Sequence, residues 1–149
     1  MNPETKLWKS MKTATKEMVG LDLNRIESEV TPGFPDVILC HLGEYALLEL
    51  KVAYSNKLFL TPAQLPWHSI HEKAKGNHWI LYKNDTVYGV FKLRDVKEDK
   101  LHSSISGTKI CLEGSWLHYD NHLILVKEEV GTNEEIFKRI IEYVCKKRH

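Results

Sequence analysis

Near the start of the chain Leu7, Met11, Ala14 and Met18 recur at helical spacing, with Gly20 following as a stop, and predict an amphipathic first helix. "LDLNRIESEV" reads as a strand or extended segment whose alternation is imperfect around Arg25 and Glu27. Two strands follow, Pro35–Leu42 and Tyr45–Ala53, around a turn at Gly43-Glu44. "SNKLFL" reads as a connector, and "TPAQLPWHSIHEKAKG" as a second helix with Thr61 as N-cap and Pro62 in its first position. "NHWILYKNDTVYGVFKL" predicts a second hairpin turning at Asn84-Asp85. From Arg94 to Gly107 the pattern is polar and aperiodic, consistent with a loop or short helix. "KICLEGSWLHYDNHLILV" predicts strands flanking turns at Glu113-Gly114 and Asp120-Asn121. Thr132 and Glu135 make a capping box before Ile136, Ile140, Ile141 and Val144, which predicts a C-terminal amphipathic helix. This order of elements predicts an α/β (α+β) fold with a mixed central β-sheet flanked by helices.

The first hairpin holds charged residues where an ordinary core would not. With a two-residue turn at Gly43-Glu44, Leu42 faces Tyr45 and Asp36 faces Lys51, with Glu49 diagonal to Asp36. All three side chains then share one face, while Pro35, Val37, Leu39, Ala46, Leu48, Leu50 and Val52 share the other. A four-residue turn keeps this parity and a three-residue turn reverses it for Asp36. Two carboxylates held close together repel unless a cation lies between them. A hard divalent ion such as Mg²⁺ suits an oxygen-only pair and takes substrate phosphate oxygens to complete its shell, which fits metal-assisted phosphodiester hydrolysis. A solvated charge pair on a strand face gives the same spacing.

The 149 residues are expected to form one domain, with a motif-bearing part over about 4–93 and a less patterned part over 94–149. Twenty-one Lys and Arg against twenty Asp and Glu leave a net charge of +1, so a nucleic-acid partner would have to be met by a local patch. The N-terminus lacks a signal-peptide core and no run is long and apolar enough to span a membrane, which predicts a soluble, cytoplasmic protein. Cys40, Cys111 and Cys145 are widely spaced and read as reduced packing residues.

Gly33-x-Pro35-Asp36, a hairpin, Glu49-x-Lys51 and then Thr61-Pro62-x-Gln64-x-x-Trp67, behind an N-terminal helix, resemble the PD-(D/E)XK nuclease superfamily. The similarity is to its Holliday-junction-resolvase-like and VRR-NUC-type branch, which includes small bacteriophage nucleases, and it covers roughly residues 4–80. The resemblance implies a restriction-endonuclease-like core and a Mg²⁺-dependent endodeoxyribonuclease in which Mn²⁺ can substitute. It further implies that Asp36 and Glu49 are metal ligands, with the Leu50 carbonyl as a third, and that Glu4 is the helix-borne acidic residue. Lys51 matches the motif lysine, which the neighbouring carboxylates should keep protonated for orientation and charge stabilisation. Gln64 would hold a phosphate near the start of its helix. Branched or flapped DNA is the implied partner, and a symmetric cut across a junction implies a homodimer, with the C-terminal helix or late strands as its contact. Two other expectations stay open: a non-catalytic nucleic-acid-binding module of this fold, and a nuclease subunit that needs a protein partner for DNA recognition.

Further residues have paired readings. Glu4 is equally a favourable charge at a helix N-terminus, with Glu17 a weaker match to the acidic position. Arg25, with Glu27 and Glu29, lines the cleft to meet a phosphate or lies on a solvated strand. His68 and His71 stand three apart and are expected to contact DNA or to be exposed, with no third metal ligand evident. Lys57, with Lys6, Lys9, Lys12, Lys16, Lys73 and Lys75, can track a DNA backbone or serve as solubilising charge. Gly33 marks a close approach or a simple turn, and Trp67 and Trp79 are expected in the core.

Overall fold

A computed structural model of the chain describes residues 2–26, 31–118 and 121–146; Glu27, Glu29 and Asp120 fall outside the described residues. The first helix, α1 (Pro3–Ala14), starts where Asn2 Oδ1 accepts the Thr5 N–H at 2.7 Å with Pro3 just inside, and buries Leu7 and Met11. It ends a turn short of Met18, because the Thr15 hydroxyl donates to the Met11 carbonyl at 2.8 Å and the chain leaves helical geometry there.

Strands β1 (Leu21–Arg25), β2 (Val37–His41), β3 (Glu44–Val52) and β4 (Lys57–Leu60) come next. After them run α2 (Gln64–Lys73), β5 (His78–Asn84), β6 (Val87–Phe91), β7 (Leu101–Ser104), β8 (Gly107–Cys111) and β9 (His122–Val126). The chain closes with α3 (Lys127–Val130) and α4 (Asn133–Val144). Six strands form the main sheet in the order β1-β2-β3-β5-β6-β9. Only the β3/β5 pair is parallel, so the sheet is mixed, and the crossover between them carries β4 and α2. A second sheet, β4-β8-β7, stands apart from the first.

The two faces of the main sheet feed two cores. Leu48, Leu50, Trp79 and Leu81 pack with Leu7 and Met11 of α1 and with Ile136, Phe137, Ile140 and Val144 of α4. Ile80, Tyr82 and Phe91 point the other way and meet Leu58, Leu60 and Ile110 of the second sheet together with Trp116. Glu49 and Lys51 of β3 are in register with Ile80 and Tyr82, so they share the face that the second sheet covers. The apolar side of α4 is consumed inside its own chain, which removes it as a contact for a second copy. Thr132 caps that helix as the capping-box pattern predicts, its hydroxyl accepting the Glu135 N–H at 3.2 Å.

Several boundaries differ from the sequence-based expectation. "SNKLFL" holds β4 rather than a connector, and the aperiodic stretch after Arg94 holds two single 3₁₀ turns followed by the β7/β8 hairpin. α2 begins at Gln64 with Ala63 as its cap and no side-chain capping bond, rather than at Pro62 after a Thr61 cap. The second hairpin turns at Asp85-Thr86, with Asn84 paired to Val87.

The first hairpin also turns one residue earlier than predicted. His41 pairs with Glu44, so the turn residues are Leu42 and Gly43, both at positive φ (50° and 87°) as a type I′ turn requires. Extending the ladder by one pair sets Asp36 opposite Glu49 instead of Lys51. The slip is two residues, so every side chain keeps its face. Leu42, 72% exposed, bears left-handed geometry that a branched side chain resists. Leu42→Asn is therefore expected to raise stability by ~0.5–1 kcal/mol without altering the register, read as a higher urea midpoint at unchanged m-value.

Candidate active site

Asp36 lies at the mouth of β2, one residue before the ladder begins, and its Oδ2 accepts the Leu50 N–H at 2.9 Å. The β2/β3 ladder ends at Val37–Leu48, and beyond it the Leu50 N–H is met by this side-chain acceptor. Because the N–H and C=O of one strand residue point to the same edge, the Leu50 peptide and the Asp36 carboxylate face one another. Glu49, adjacent on β3, is only 1% exposed, and its Oε1 is buried with no protein hydrogen-bond partner. Burial pushes its carboxyl up to about 10, the close hydrogen-bonding and charged presence of Asp36 adds to the rise, and Lys51 opposes it. A buried carboxylate oxygen without a donor is the kind of atom that a cation satisfies.

Lys51, 8% exposed, donates from Nζ to Gln64 Oε1 at 2.8 Å. The same oxygen accepts the Thr61 N–H at 2.9 Å, so the glutamine side chain ties β3 to the loop entering α2. Gln64 thus holds the lysine, a contact the sequence did not foretell. Glu4, in the first turn of α1, lines one groove with Lys51 and is among the charges that raise the Glu49 pKa. Its side chain therefore faces the site rather than solvent alone. Arg25, at the end of β1, reaches back from Nη2 to Thr5 Oγ1 at 3.3 Å, which places it beside the start of α1. Lys57 lines the same groove as Glu4 and Lys51.

The two motifs are welded together by packing. Gly33 has φ +84°, and a Cβ there would collide with the carbonyl of Ala63, so only glycine lets the loop before Asp36 approach the start of α2. One residue on, the Phe34 ring meets Trp67 edge to face at 5.5 Å between centroids.

His68 does not reach a DNA surface. It is 0% exposed, and its Nδ1 lies 2.9 Å from Nδ1 of His78, a residue the sequence did not single out. Burial holds His68 down to about 3 and His78 down to about 4, so both are neutral at pH 7 and one Nδ1–H can bridge them. His71 stacks on Trp67 at 3.6 Å between centroids instead of projecting outward. The expectation of an exposed or DNA-contacting histidine pair fails because β5 supplies a buried partner for α2. Trp67 and Trp79 are buried as expected. Phe59, Tyr54 and Lys109 line the groove and escaped sequence reasoning; only the outward position of Phe59 between Leu58 and Leu60 carried a signal.

Among the described residues, no three His, Cys, Asp or Glu side chains gather into an all-protein metal cage. Asp36 and Glu49 instead offer two neighbouring carboxylates beside Lys51, the donor number with which Mg²⁺ is commonly held when substrate oxygens complete its shell. The donor set is all oxygen and includes an orphaned buried atom, so these residues fit a hard dication.

No protein-family model matches the sequence. No curated protein sequence matches it either. Among solved structures the fold is similar to that of Hjc from Archaeoglobus fulgidus, a Holliday junction resolvase from an archaeal hyperthermophile. The identity is 15% and the TM-score 0.50, over 72% of this chain and 87% of that chain. The chain has the mixed-sheet, helix-flanked fold of that resolvase.

Proposed function

We propose that this protein is a Mg²⁺-dependent nuclease that hydrolyses phosphodiester bonds in DNA, acting at branched or flapped structures. The observation that carries the proposal is the pairing of Asp36 with the buried, orphaned carboxyl of Glu49 beside a lysine that Gln64 holds. The resolvase-like fold and the order Asp36, Glu49-x-Lys51, Gln64 in the sequence support it. Asp36 and Glu49 would hold the ion, and the Leu50 carbonyl and Glu4 would add to its shell. A bound dication neutralises developing charge and lowers the pKa of its water, and Mn²⁺ should substitute.

Lys51 commits one of its three N–H donors to Gln64, which sets the direction of its ammonium group. The remaining donors meet a phosphate oxygen or orient the attacking water, and the positive charge offsets the charge that builds on phosphorus oxygens. Water attacks phosphorus, the bond to the 3′ oxygen breaks, and a 5′-phosphate and 3′-hydroxyl remain. Arg25, beside the start of α1, and Lys57, in the groove, would hold the flanking backbone. Cutting both strands of a junction takes two such sites, which a second copy of the chain would supply.

The test is cleavage of labelled four-way-junction, flap, single-stranded and duplex DNA with Mg²⁺ or Mn²⁺. Asp36→Asn, Glu49→Gln and Lys51→Ala are each expected to lose at least ~100-fold in cleavage rate while circular dichroism at the assay temperature shows each variant folded. Undiminished cutting by any of the three would remove that residue from the mechanism, and undiminished cutting by all would overturn the assignment.

Protonation of Glu49 offers a second readout. Its folded-state pKa of about 10 lies above the ordinary 4.5, so between those values the metal-free folded protein holds a proton that the unfolded chain has released. The resulting stability is whole below about pH 4.5 and is lost progressively as pH rises above it. The melting temperature of the metal-free protein should therefore fall from mildly acidic to mildly alkaline pH, and Glu49→Gln should flatten the slope. Parallel pH profiles for the two proteins would show that Glu49 carries no such proton.

A further inference from the structure

The groove that contains Glu4 and Lys51 continues onto the second sheet. It encloses about 500 Å³, the size range of sites that take one small organic molecule, and its far wall carries Tyr54, Lys57, Phe59 and Lys109. The wall is built by register. Lys57 and Phe59 alternate outward on β4 while Leu58 and Leu60 point into the second core, and Lys109 of β8 pairs directly with Phe59. Opposed residues of an antiparallel pair stand about 5 Å apart at Cβ, and next-but-one residues on a strand about 7 Å apart. Phe59 therefore neighbours Lys57 along β4 and Lys109 across the ladder. His102 of β7, exposed and paired with Lys109, carries the same face outward.

The ring of Phe59 is held on the sheet rather than buried within it. It lies against Gly107 of β8, where an added Cβ would come within 2.5 Å of the ring, and it remains 42% exposed. A glycine beneath an aromatic ring gives the ring a fixed seat and leaves its outer surface open. Three lysines against one carboxylate line the groove, so its charge complements a polyanion.

Resting on the nuclease reading, we propose that the outward face of β4 and β8 binds an unpaired stretch of DNA, Phe59 stacking on one base while Lys57 and Lys109 meet the flanking phosphates. A base within a duplex is already stacked on both faces and offers no free surface to an aromatic ring, whereas an unpaired base does. The wall thereby selects a substrate with a single-stranded segment beside the scissile phosphate, such as a flap or a splayed branch.

The experiment is fluorescence anisotropy with the full chain, without divalent metal, on a labelled single-stranded oligonucleotide and on a blunt duplex of the same sequence. Phe59→Ala should weaken single-strand binding about 5- to 100-fold and leave duplex binding unchanged, and Phe59→Trp should restore it. Lys57→Ala and Lys109→Ala should each reduce the slope of log affinity against log salt by roughly 0.7. Lys109→Glu, on an exposed site, gives the same test if Phe59→Ala lowers the melting temperature. Wild-type affinity in both Phe59→Ala and Lys109→Glu, an equal loss on both DNAs, or no single-strand binding by the wild type would overturn the proposal. Cleavage separates it from the catalytic assignment. Phe59-dependent binding without metal-dependent cutting keeps the wall and removes the nuclease, while cutting with Phe59-independent binding does the reverse.

Discussion

A carboxyl group that is almost wholly buried beside another carboxyl is costly to ionise, and the architecture around Glu49 is organised by that constraint. The residue sits in a central strand that is covered on one side by α1 and α4 and on the other by the second sheet, so solvent cannot stabilise its charge. Two states remain open to it: a shared proton with Asp36, or a cation. The flanking lysine lowers the cost but cannot cancel it, since burial dominates the rise in pKa. The same placement makes the site sensitive to register, because a one-residue slip in the first hairpin would send Glu49 into the apolar core that Leu48 and Leu50 occupy.

The spacing between the two sequence motifs has a mechanical basis. Gly33 abuts Ala63, Phe34 meets Trp67, and Lys51 is held by Gln64, so the start of α2 is joined at two points to the loop before Asp36 and at a third to β3. The buried His68–His78 bond adds a fourth attachment, from α2 to β5. β5 is the parallel partner of β3, and the helix bearing Gln64 is therefore anchored to the strand next to the one bearing Glu49 and Lys51. A glutamine and a lysine from distant segments can keep a 2.8 Å contact only when both supports are fixed in this way.

Much of this was legible from residue patterns. The shared face of Asp36, Glu49 and Lys51 followed from strand alternation and an even-length turn, and it survived a shift of the turn because the register moved by two residues. Leu42 explains the shift: core packing of Val37, Leu39, Ala46 and Leu48 decides the register, and the turn accepts a strained leucine as the result. The cap of α4 was equally plain, since it depends on neighbours in sequence. What could not be read depends on distant partners. β4 escaped notice because Phe59, an outward residue, makes "KLFL" look uniformly apolar, and the β7/β8 hairpin because its outer positions are polar and its tip is Ile105. The burial of His68 required knowing that His78 would lie beneath it. Gln64 was identified as a site residue from its motif, but its partner was visible only once α2 was placed.

The second sheet joins segments from either side of the β5/β6 hairpin, since Lys57 pairs with Cys111 while Leu101 and Ile110 close the other edge. Joining distant segments carries a loop-closure entropy that the local β2/β3 turn avoids, and that entropy is recovered only through contacts with Ile80, Tyr82 and Phe91 on a sheet already formed. The carboxylates and the groove wall thus differ in contact order: one side of the site is drawn from neighbouring residues, the other from a long-range closure. Substitutions in the main sheet consequently propagate to the wall, whereas the local hairpin that carries Glu49 and Lys51 retains its own pairing when the wall is altered.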